Sequence, residues 1–256
     1  MNARALYLDA AARWQVRLDD GVALNISGPG RARGLYPLTR LARVVSPWHA
    51  EWTMQALLAC LQAGVPVLFH DAHGEPVGWC FGPRRRETTL AALLREGLAQ
   101  SNWNDEFAAW RRAVERRLAM AALSAMQAGC CRLDPAAVRV QLCNAHRRRI
   151  GHSIGAHLRA LHRAAAALVG EHLQREVGDA SLIGYRRPGL HLGAVFTELL
   201  EWPLHLLLWQ TPAADIVACA PARFAAAALE RHAALLHREL GGLLGGLELH
   251  LREWLW

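Results

Sequence analysis

The sequence predicts an α+β protein in which a small N-terminal β-sandwich-like domain is followed by a larger all-α domain. Three observations support this. Short apolar segments alternate with turn residues up to residue 82, helical spacing dominates from residue 88 onward, and a polar segment that opens on Gly82-Pro83 separates the two patterns. We therefore expect a β-rich domain over residues 1–82, a linker over 83–87 and a helical domain over 88–256.

The first strands alternate between apolar and polar residues. Asp19-Asp20-Gly21 stands between two such segments as a turn, so they predict a hairpin with one face in water. A shorter apolar segment precedes the hairpin and another follows the Gly28-Pro29-Gly30 loop. The four predicted strands are Leu6–Leu8, Trp14–Leu18, Val22–Ile26 and Leu35–Leu38.

The stretch from Pro37 to Phe81 has the most distinctive order of elements. A strand over Ala42–Val45 leads into an amphipathic helix over His49–Ala63, which Gly64 ends. A buried strand over Val65–Phe69 follows, and an acidic turn reverses the chain into a last strand over Val77–Phe81. The pattern predicts a strand, a helix, a strand and a hairpin strand.

Helical periodicity governs the rest of the chain. Pro203 should kink one helix, and the pairs Gly241-Gly242 and Gly245-Gly246 should weaken the last. The predicted helices are Thr88–Gln100, Glu106–Ala128, Pro135–Arg149, Ser153–Val177, Pro188–Trp209 and Ala220–Trp256.

Composition narrows the function classes. A net charge of +7 and a pI near 9.7 favour a polyanionic partner, and every basic residue other than histidine is Arg, although a GC-rich genome would produce the same bias. Six cysteines without a C-x-x-C pair disfavour zinc and disulfides. Charged or polar residues interrupt every long apolar run, so we expect a soluble cytoplasmic protein and no membrane partner.

The order of elements over residues 37–81, with A-G-V-P-V-x-F-x-D-x-x-G inside it, resembles the CRISPR-associated spacer integrase family. The resemblance implies a β-domain through which two subunits dimerise, followed by an α-domain. It also implies DNA and the small second subunit of the CRISPR adaptation complex as partners. Members of the family cut and join DNA with a divalent metal held by a Glu, a His and an Asp of the α-domain.

The positions that match those three ligands carry other residues. Gly155 stands where the Glu is expected, Tyr185 or Arg186 where the His is expected, and Gly193 where the Asp is expected. The resemblance therefore predicts a member that has lost its metal triad. It would need no cofactor, whereas an active member would use Mg²⁺ or Mn²⁺.

Two other groups of residues could hold a metal instead. Glu198, Glu201 and His205 fall at i, i+3 and i+7 of a predicted helix and share a face, with His191 on the same stripe. The second group combines Glu171 and His172 with two histidines, His157 and His162. Because a five-residue step turns a helix by about 140° past full turns, His157 and His162 should lie on different faces.

Clusters of arginine supply candidate contacts with DNA phosphates, or simply a soluble surface. Four arginines line one predicted helix: Arg111, Arg112, Arg116 and Arg117. The candidate DNA-binding residues at element boundaries are Arg84, Arg85, Arg86, Arg147, Arg148, Arg149, Arg186 and Arg187. Three functions follow as hypotheses: a DNA-binding integrase-like subunit without its triad, an active endonuclease or integrase with displaced ligands, and an adaptor that binds only proteins.

Overall fold

A computed structural model describes residues 3–29, 31–82, 88–126, 134–183 and 191–256. It confirms the predicted fold class, because the described strands all precede residue 82 and the described segments beyond residue 88 are helical. The strands are β1 (Arg4–Tyr7), β2 (Gln15–Asp19), β3 (Ala23–Gly28), β4 (Arg31–Pro37), β5 (Leu41–Pro47), β6 (Glu51–Trp52), β7 (Val67–His70) and β8 (Pro76–Cys80). A 3₁₀ turn over Leu38–Arg40 joins β4 to β5, and helix α1 (Met54–Gln62) lies between β6 and β7.

The strands form two four-stranded sheets. In the first sheet, of order β1-β5-β7-β8, β5 pairs in parallel with β1 and β7, and β8 returns antiparallel. In the second, of order β4-β3-β2-β6, β2 to β4 are antiparallel and β6 runs parallel to β2. Residues of both sheets and of α1 meet in one apolar core, which includes Val16, Leu24, Val44, Ala56 and Val67. The shared core is what holds the two sheets together.

Helix α1 begins later than the sequence predicted. We expected it to begin at His49, but Glu51 and Trp52 pair with Gln15 and Val16 as a short strand. The helix then starts after Thr53, whose Oγ1 accepts a hydrogen bond from the backbone N–H of Ala56 at 3.3 Å. Sheet pairing and this N-cap together fix the boundary.

The helical half contains long helices joined by short ones. No helix in the described part of the chain is both long and apolar enough to cross a membrane. The helices are α2 (Thr89–Leu98), α3 (Trp103–Ala125), α4 (Pro135–Ile150), α5 (Ile154–Glu176), α6 (Ala180–Ile183), α7 (Leu192–Gln210), α8 (Ala213–Val217) and α9 (Pro221–Leu255).

Two helices continue through residues that were predicted to kink or weaken them. Helix α7 runs through Pro203, and α9 runs for 35 residues through both glycine pairs. The glycines lie on the exposed side of α9, whereas its other side is a stripe of buried leucines. Tertiary packing of that stripe offsets the low helix propensity of glycine. The stripe comprises Leu236, Leu240, Leu243, Leu244, Leu247 and Leu251.

Helix α5 lies against the first sheet with small residues at the contact. Ala166 and Ala167 pack on Val45 and Leu68. One turn later, a Cβ added at Gly170 would stand 2.8 Å from Cδ1 of Trp79 on β8. The indole N–H of the same Trp79 donates to the carbonyl of Ala166 at 3.5 Å. Larger side chains at these positions would push the helix away from the sheet.

A buried arginine also joins the two halves. Arg43 on β5 is 3% exposed, and its guanidinium contacts Glu171 of α5 at 2.6 Å and Glu230 of α9 at 3.2 Å. It also donates to the hydroxyl of Tyr7 on β1 at 3.2 Å. A buried guanidinium is stable only when such partners satisfy it, so the sheet and the helices hold each other in register.

The close contact at Gly170 predicts that alanine substitutions at two helical glycines change the stability in opposite directions. Gly170→Ala should destabilise the protein by about 1–2 kcal/mol, because the clash with Trp79 outweighs the gain in helix propensity. Gly241→Ala on α9, where a Cβ meets nothing within 4 Å, should instead stabilise it by up to about 1 kcal/mol. Urea unfolding of the two variants measures both free energies, and equal shifts of the same sign would contradict the packing described for α5.

Candidate functional site

Four helices of the C-terminal half bring charged side chains together in one cluster. Its members are Glu115 of α3, Arg139 of α4, His162 of α5 and Glu201 of α7, and we call it the arginine–carboxylate cluster. Nη2 of Arg139 lies 2.5 Å from Oε1 of Glu115, and its Nε lies 3.6 Å from Oε2 of Glu201. Nδ1 of His162 is 2.7 Å from Oε1 of Glu201. One guanidinium thus serves two carboxylates from different helices.

The cluster is only partly open to water. The side chain of Glu115 is 12% exposed and that of Arg139 is 28% exposed. The guanidinium of Arg139 stands over the ring of Trp202, 4.9 Å from the ring centroid. Ion pairs in such surroundings are less screened than surface pairs, and the aromatic face adds a favourable contact.

Proton affinities in the cluster follow from these contacts. Burial acts to lower the pKa of His162, but its hydrogen bond to Glu201 and that carboxylate's charge outweigh burial and raise the pKa above its usual value. Burial acts to raise the pKa of Glu201, yet the bond to His162 and the nearby charges of His162 and Arg139 hold it below its usual value. Each partner therefore favours the charged form of the other.

The four residues predicted to form an alternative metal site line two different cavities, two residues in each. Glu198 and His191 line a cavity of about 950 Å³ beside β8. Glu201 and His205 line a smaller cavity of about 130 Å³ together with Arg139 and Cys143. His162 is a lining residue of both.

Three of those four residues already have partners of other kinds. Glu198 forms an ion pair with Arg111 of α3. His191 accepts a hydrogen bond from the N–H of Ala194 through Nδ1 at 2.9 Å and so caps α7, with its ring 5.6 Å from that of Trp79. Glu201 belongs to the arginine–carboxylate cluster.

His205 lies in a buried pair of histidines. Its ring is stacked on that of His146 of α4, with centroids 5.3 Å apart and an interplanar angle of 11°. His146 is fully buried and neither of its ring nitrogens has a hydrogen-bond partner. Burial lowers the pKa of His146 to about 3 and that of His205 to about 4, so both are neutral at physiological pH.

The second predicted group of histidines is dispersed. His157 contacts the carbonyls of Ser153 and Cys219, whereas His162 contacts Glu201. His172 lies 3.1 Å from His237 of α9, and Glu171 binds Arg43. These residues tie α5 to its neighbours at separate points.

Solved structures share this architecture, although no protein-family model and no curated protein sequence matches the chain. A Cas1 protein from Thermotoga maritima superposes on 97% of this chain and 97% of its own, with a TM-score of 0.72 at 12% identity. A TtCas1–DNA complex matches 94% of this chain and 91% of its own, with a TM-score of 0.55 at 15% identity.

A third match is a Cas6-RT-Cas1 chain in a complex with Cas2. It covers 99% of this chain and 35% of its own length, with a TM-score of 0.63 at 12% identity. The chain has the Cas1 fold. The resemblance predicted from residues 37–81 is thereby confirmed at the level of the fold.

Two of the three positions matched to metal ligands of the family can be described. A Cβ added at Gly155, near the start of α5, would meet only Arg159 Nη1 at 3.5 Å. At Gly193, a Cβ would stand 3.3 Å from the carbonyl oxygen of Ile183 and 3.6 Å from Cε1 of His191, so a carboxylate there would be crowded. Tyr185 lies outside the described residues. The emptied triad therefore stays a prediction.

The donors that the structure describes are not arranged for a divalent cation. Within the described ranges, no group of three or more His, Cys, Asp or Glu side chains is arranged to hold a metal ion. The carboxylates of Glu115 and Glu201 face Arg139, and that of Glu198 faces Arg111. A guanidinium beside such a site repels a second cation.

The candidate DNA-binding arginines fall into three classes. Arg147 and Arg148 are exposed and pair with no acidic side chain of the described residues. Arg149 instead donates to the carbonyls of Trp209 and Thr211, at 2.9 Å each, and to that of Leu208, so it caps the C-terminus of α7. The remaining predicted contacts lie outside the described residues: Arg84, Arg85, Arg86, Arg186 and Arg187.

The arginines along α3 divide in the same way. Arg111 is committed to Glu198, whereas Arg112, Arg116 and Arg117 are exposed. None of these three pairs with an acidic side chain in the part of the chain that the structure describes. Exposed arginines on α3 and α4 are therefore available to a polyanion.

Sequence reasoning missed two central members of the cluster, Glu115 and Arg139. Glu115 lies four and seven residues before Ala119 and Ala122, which are both buried on α3. A carboxylate on the buried stripe of a helix is the signal that could have found it, since buried charges require partners. Arg139 had no comparable signal, because its partners come from other helices.

The buried histidine pair predicts an acid-sensitive fold. A group whose pKa falls on folding contributes stability that is present above its unfolded value of about 6.5 and is lost as pH falls towards the folded value. Lowering the pH from 7 to 5 should therefore reduce the free energy of unfolding by about 2 kcal/mol through His146. His146→Phe should therefore flatten the decline in unfolding free energy between pH 7 and 5, measured by urea titration.

The matched control is His152→Phe, because His152 is exposed. It should leave the acid dependence of stability unchanged. Parallel pH profiles for the wild type and His146→Phe would contradict the buried neutral pair.

Proposed function

We propose that this chain is a DNA-binding, integrase-like subunit of CRISPR adaptation that does not use a divalent metal. The observation that carries the proposal is the division of arginines on a Cas1 fold. Arg139 and Arg111 neutralise the carboxylates at the centre of the helical region. Arg147 and Arg148 stand exposed without acidic partners among the described residues.

The exposed arginines supply the chemistry of phosphate binding. A guanidinium makes charge-assisted, bidentate hydrogen bonds to phosphate oxygens, and such contacts give affinity that does not depend on base sequence. The net charge of +7 has the sign that a polyanion requires. A protein with the same fold has been solved as a complex with DNA, the TtCas1–DNA complex.

The charges at the arginine–carboxylate cluster do not favour the metal chemistry of the family. Cutting and joining DNA in that family requires an ion that neutralises the phosphate and stabilises the departing oxygen. Arg139 already provides the positive charge between Glu115 and Glu201. We therefore assign no hydrolysis or transfer step to this chain.

Two protein partners belong to the proposal. One is a small second subunit, and it is supported by a chain that contains this fold and has been solved with Cas2. A second copy of this chain would bind through the β region, where Leu35 and Tyr36 lie exposed on β4, an edge strand of the second sheet. Val22, 65% exposed, precedes the neighbouring strand.

Salt-dependent binding tests the DNA contact. The double change Arg147→Ala and Arg148→Ala should weaken binding to duplex DNA and reduce the slope of log affinity against log salt by about 2, since each phosphate contact contributes about 1. Fluorescence anisotropy between about 50 and 200 mM salt measures both quantities. Arg17→Ala, which removes one exposed arginine of β2, is the control and should change neither.

The same assay separates the competing functions. Absence of salt-dependent DNA binding in the wild type would favour an adaptor that binds only proteins. Mg²⁺- or Mn²⁺-dependent cleavage or joining of DNA that Glu198→Ala and Glu201→Ala abolish would replace the proposal with an active enzyme.

Dimerisation through the β region gives a further prediction. Leu35→Glu places a charge on the exposed edge strand and should convert a dimer into a monomer, because an unpaired charge in an apolar interface is costly. Leu249→Glu on α9 is the matched control, since Leu249 is also 58% exposed. Light scattering gives the molar mass; equal masses for the two variants would place the interface elsewhere.

A further inference from the structure

We propose that a cavity between the first sheet and helices α5 and α9 binds a small organic phosphate through Arg163 and Arg223. The cavity has a volume of about 280 Å³, and both arginines line it. No member of the arginine–carboxylate cluster does. The inference goes beyond the proposed function and does not rest on it.

The first argument is the unsatisfied guanidinium of Arg163. Its Nε is shielded from water and has no hydrogen-bond partner. Among the described residues, no carboxylate forms an ion pair with Arg163 and none of its nitrogens donates a hydrogen bond. Burial lowers the pKa of Arg163, because the charges of Asp9 and Asp71 offset only part of the desolvation. A half-buried cation without a bonded partner favours an anion beside it.

The turn between β7 and β8 holds this guanidinium in place. A Cβ added at Gly74 would stand 3.1 Å from both Nε and Nη2 of Arg163, so the guanidinium packs directly on the turn. Gly74 also has a φ of 92°, which side chains rarely adopt. The contact positions Arg163 without neutralising its charge.

The second argument is that another arginine lines the same cavity from a different helix. Arg223 is exposed in the first turn of α9 and pairs with no acidic side chain in the described ranges. Ala220, the N-cap of α9, has no side chain that could accept from the first N–H groups, so the helix start adds to the positive field. Two guanidiniums match the charge of a phosphate monoester, which carries about −1.5 to −2 at pH 7.

The apolar wall of the cavity indicates an organic phosphate. Three buried alanines of α5 and α9 line it, together with Val45 of β5. Inorganic phosphate would leave this wall unfilled, whereas a compound with an apolar body would bury it. The volume is close to the lower end, about 300 Å³, of pockets that bind small molecules. The three alanines are Ala160, Ala164 and Ala225.

One carboxylate, that of Asp9, also lines the cavity. Its Oδ1 accepts a hydrogen bond from the N–H of Ala11 at 3.0 Å. The charge of Asp9 favours the protonated form of Arg163, although no ion pair joins the two side chains. A bound phosphate would be repelled by Asp9 and attracted by the arginines. Neutralising Asp9 should therefore strengthen phosphate binding.

The test titrates the full wild-type chain with phenyl phosphate, followed by calorimetry and by thermal unfolding. Binding should saturate at one site, and the melting temperature should rise by about 5–10 °C when the ligand is about 100 times its dissociation constant. Inorganic phosphate should bind about tenfold more weakly, because it buries no apolar surface. Phenol lacks the charge and should show no saturable binding.

Matched variants assign the binding to this cavity. Arg163→Met and Arg223→Met should each weaken phenyl phosphate binding by about tenfold, since each removes a charge-assisted hydrogen bond. Arg163→Met should not destabilise the free protein, because no described residue loses a partner. Asp9→Asn keeps an acceptor for Ala11 and should tighten binding about threefold. Arg238→Met, exposed on α9 outside this cavity, should change neither binding nor stability.

Three results would overturn the inference. One is a wild type that does not bind phenyl phosphate, and another is unchanged binding in Arg223→Met, which tests the site even if Arg163→Met does not fold. The third is an Asp9→Asn variant that loses stability without binding more tightly, which would make Asp9 the structural partner of Arg163.

Competition identifies the source of the phosphate. A 5′-phosphorylated duplex that displaces phenyl phosphate, when the unphosphorylated duplex does not, would assign the site to a DNA end. Absence of displacement would assign it to a small compound, and both outcomes support the site. The proposed function fails separately, in the salt-dependent assay of Arg147 and Arg148.

Discussion

The close approach of α5 to the first sheet is the constraint on which the rest of the structure depends. Ala166, Ala167 and Gly170 allow the helix backbone to lie against Val45, Leu68 and Trp79. From that position α5 also contacts α7 and α9. Its polar residues therefore reach charged groups on two sides, with Glu171 directed to Arg43 of the sheet and His162 directed to Glu201 of α7.

Two guanidiniums of this protein, one buried and one half-buried, each contact two carboxylates from different elements. Arg43 joins Glu171 and Glu230, and Arg139 joins Glu115 and Glu201. Arg149 uses backbone carbonyls at the end of α7 instead. An arginine can satisfy several acceptors at once because its guanidinium is a planar fork of five donors. The Arg bias of the sequence is thus partly structural.

The order of strands and helices could be predicted from periodicity, but several boundaries and the site could not. His49 was a wrong start for α1 because pairing of Glu51 and Trp52 with a distant strand is invisible to local pattern. The glycine pairs do not interrupt α9, because its leucine stripe is buried and stabilises the helix. That stabilisation comes from tertiary packing, which local sequence does not reveal. One helix does carry Glu198, Glu201 and His205, as predicted. The partners that determine their chemistry come from α3, α4 and α5, which local sequence does not reveal.

The buried Arg43 has a mechanical consequence for the whole chain. Rocking of the strands against the helices would leave a positive charge stranded in an apolar setting, since both of its acidic partners belong to the helical half. Such motion therefore carries an electrostatic cost, which favours movement of the strands and helices together when a partner binds.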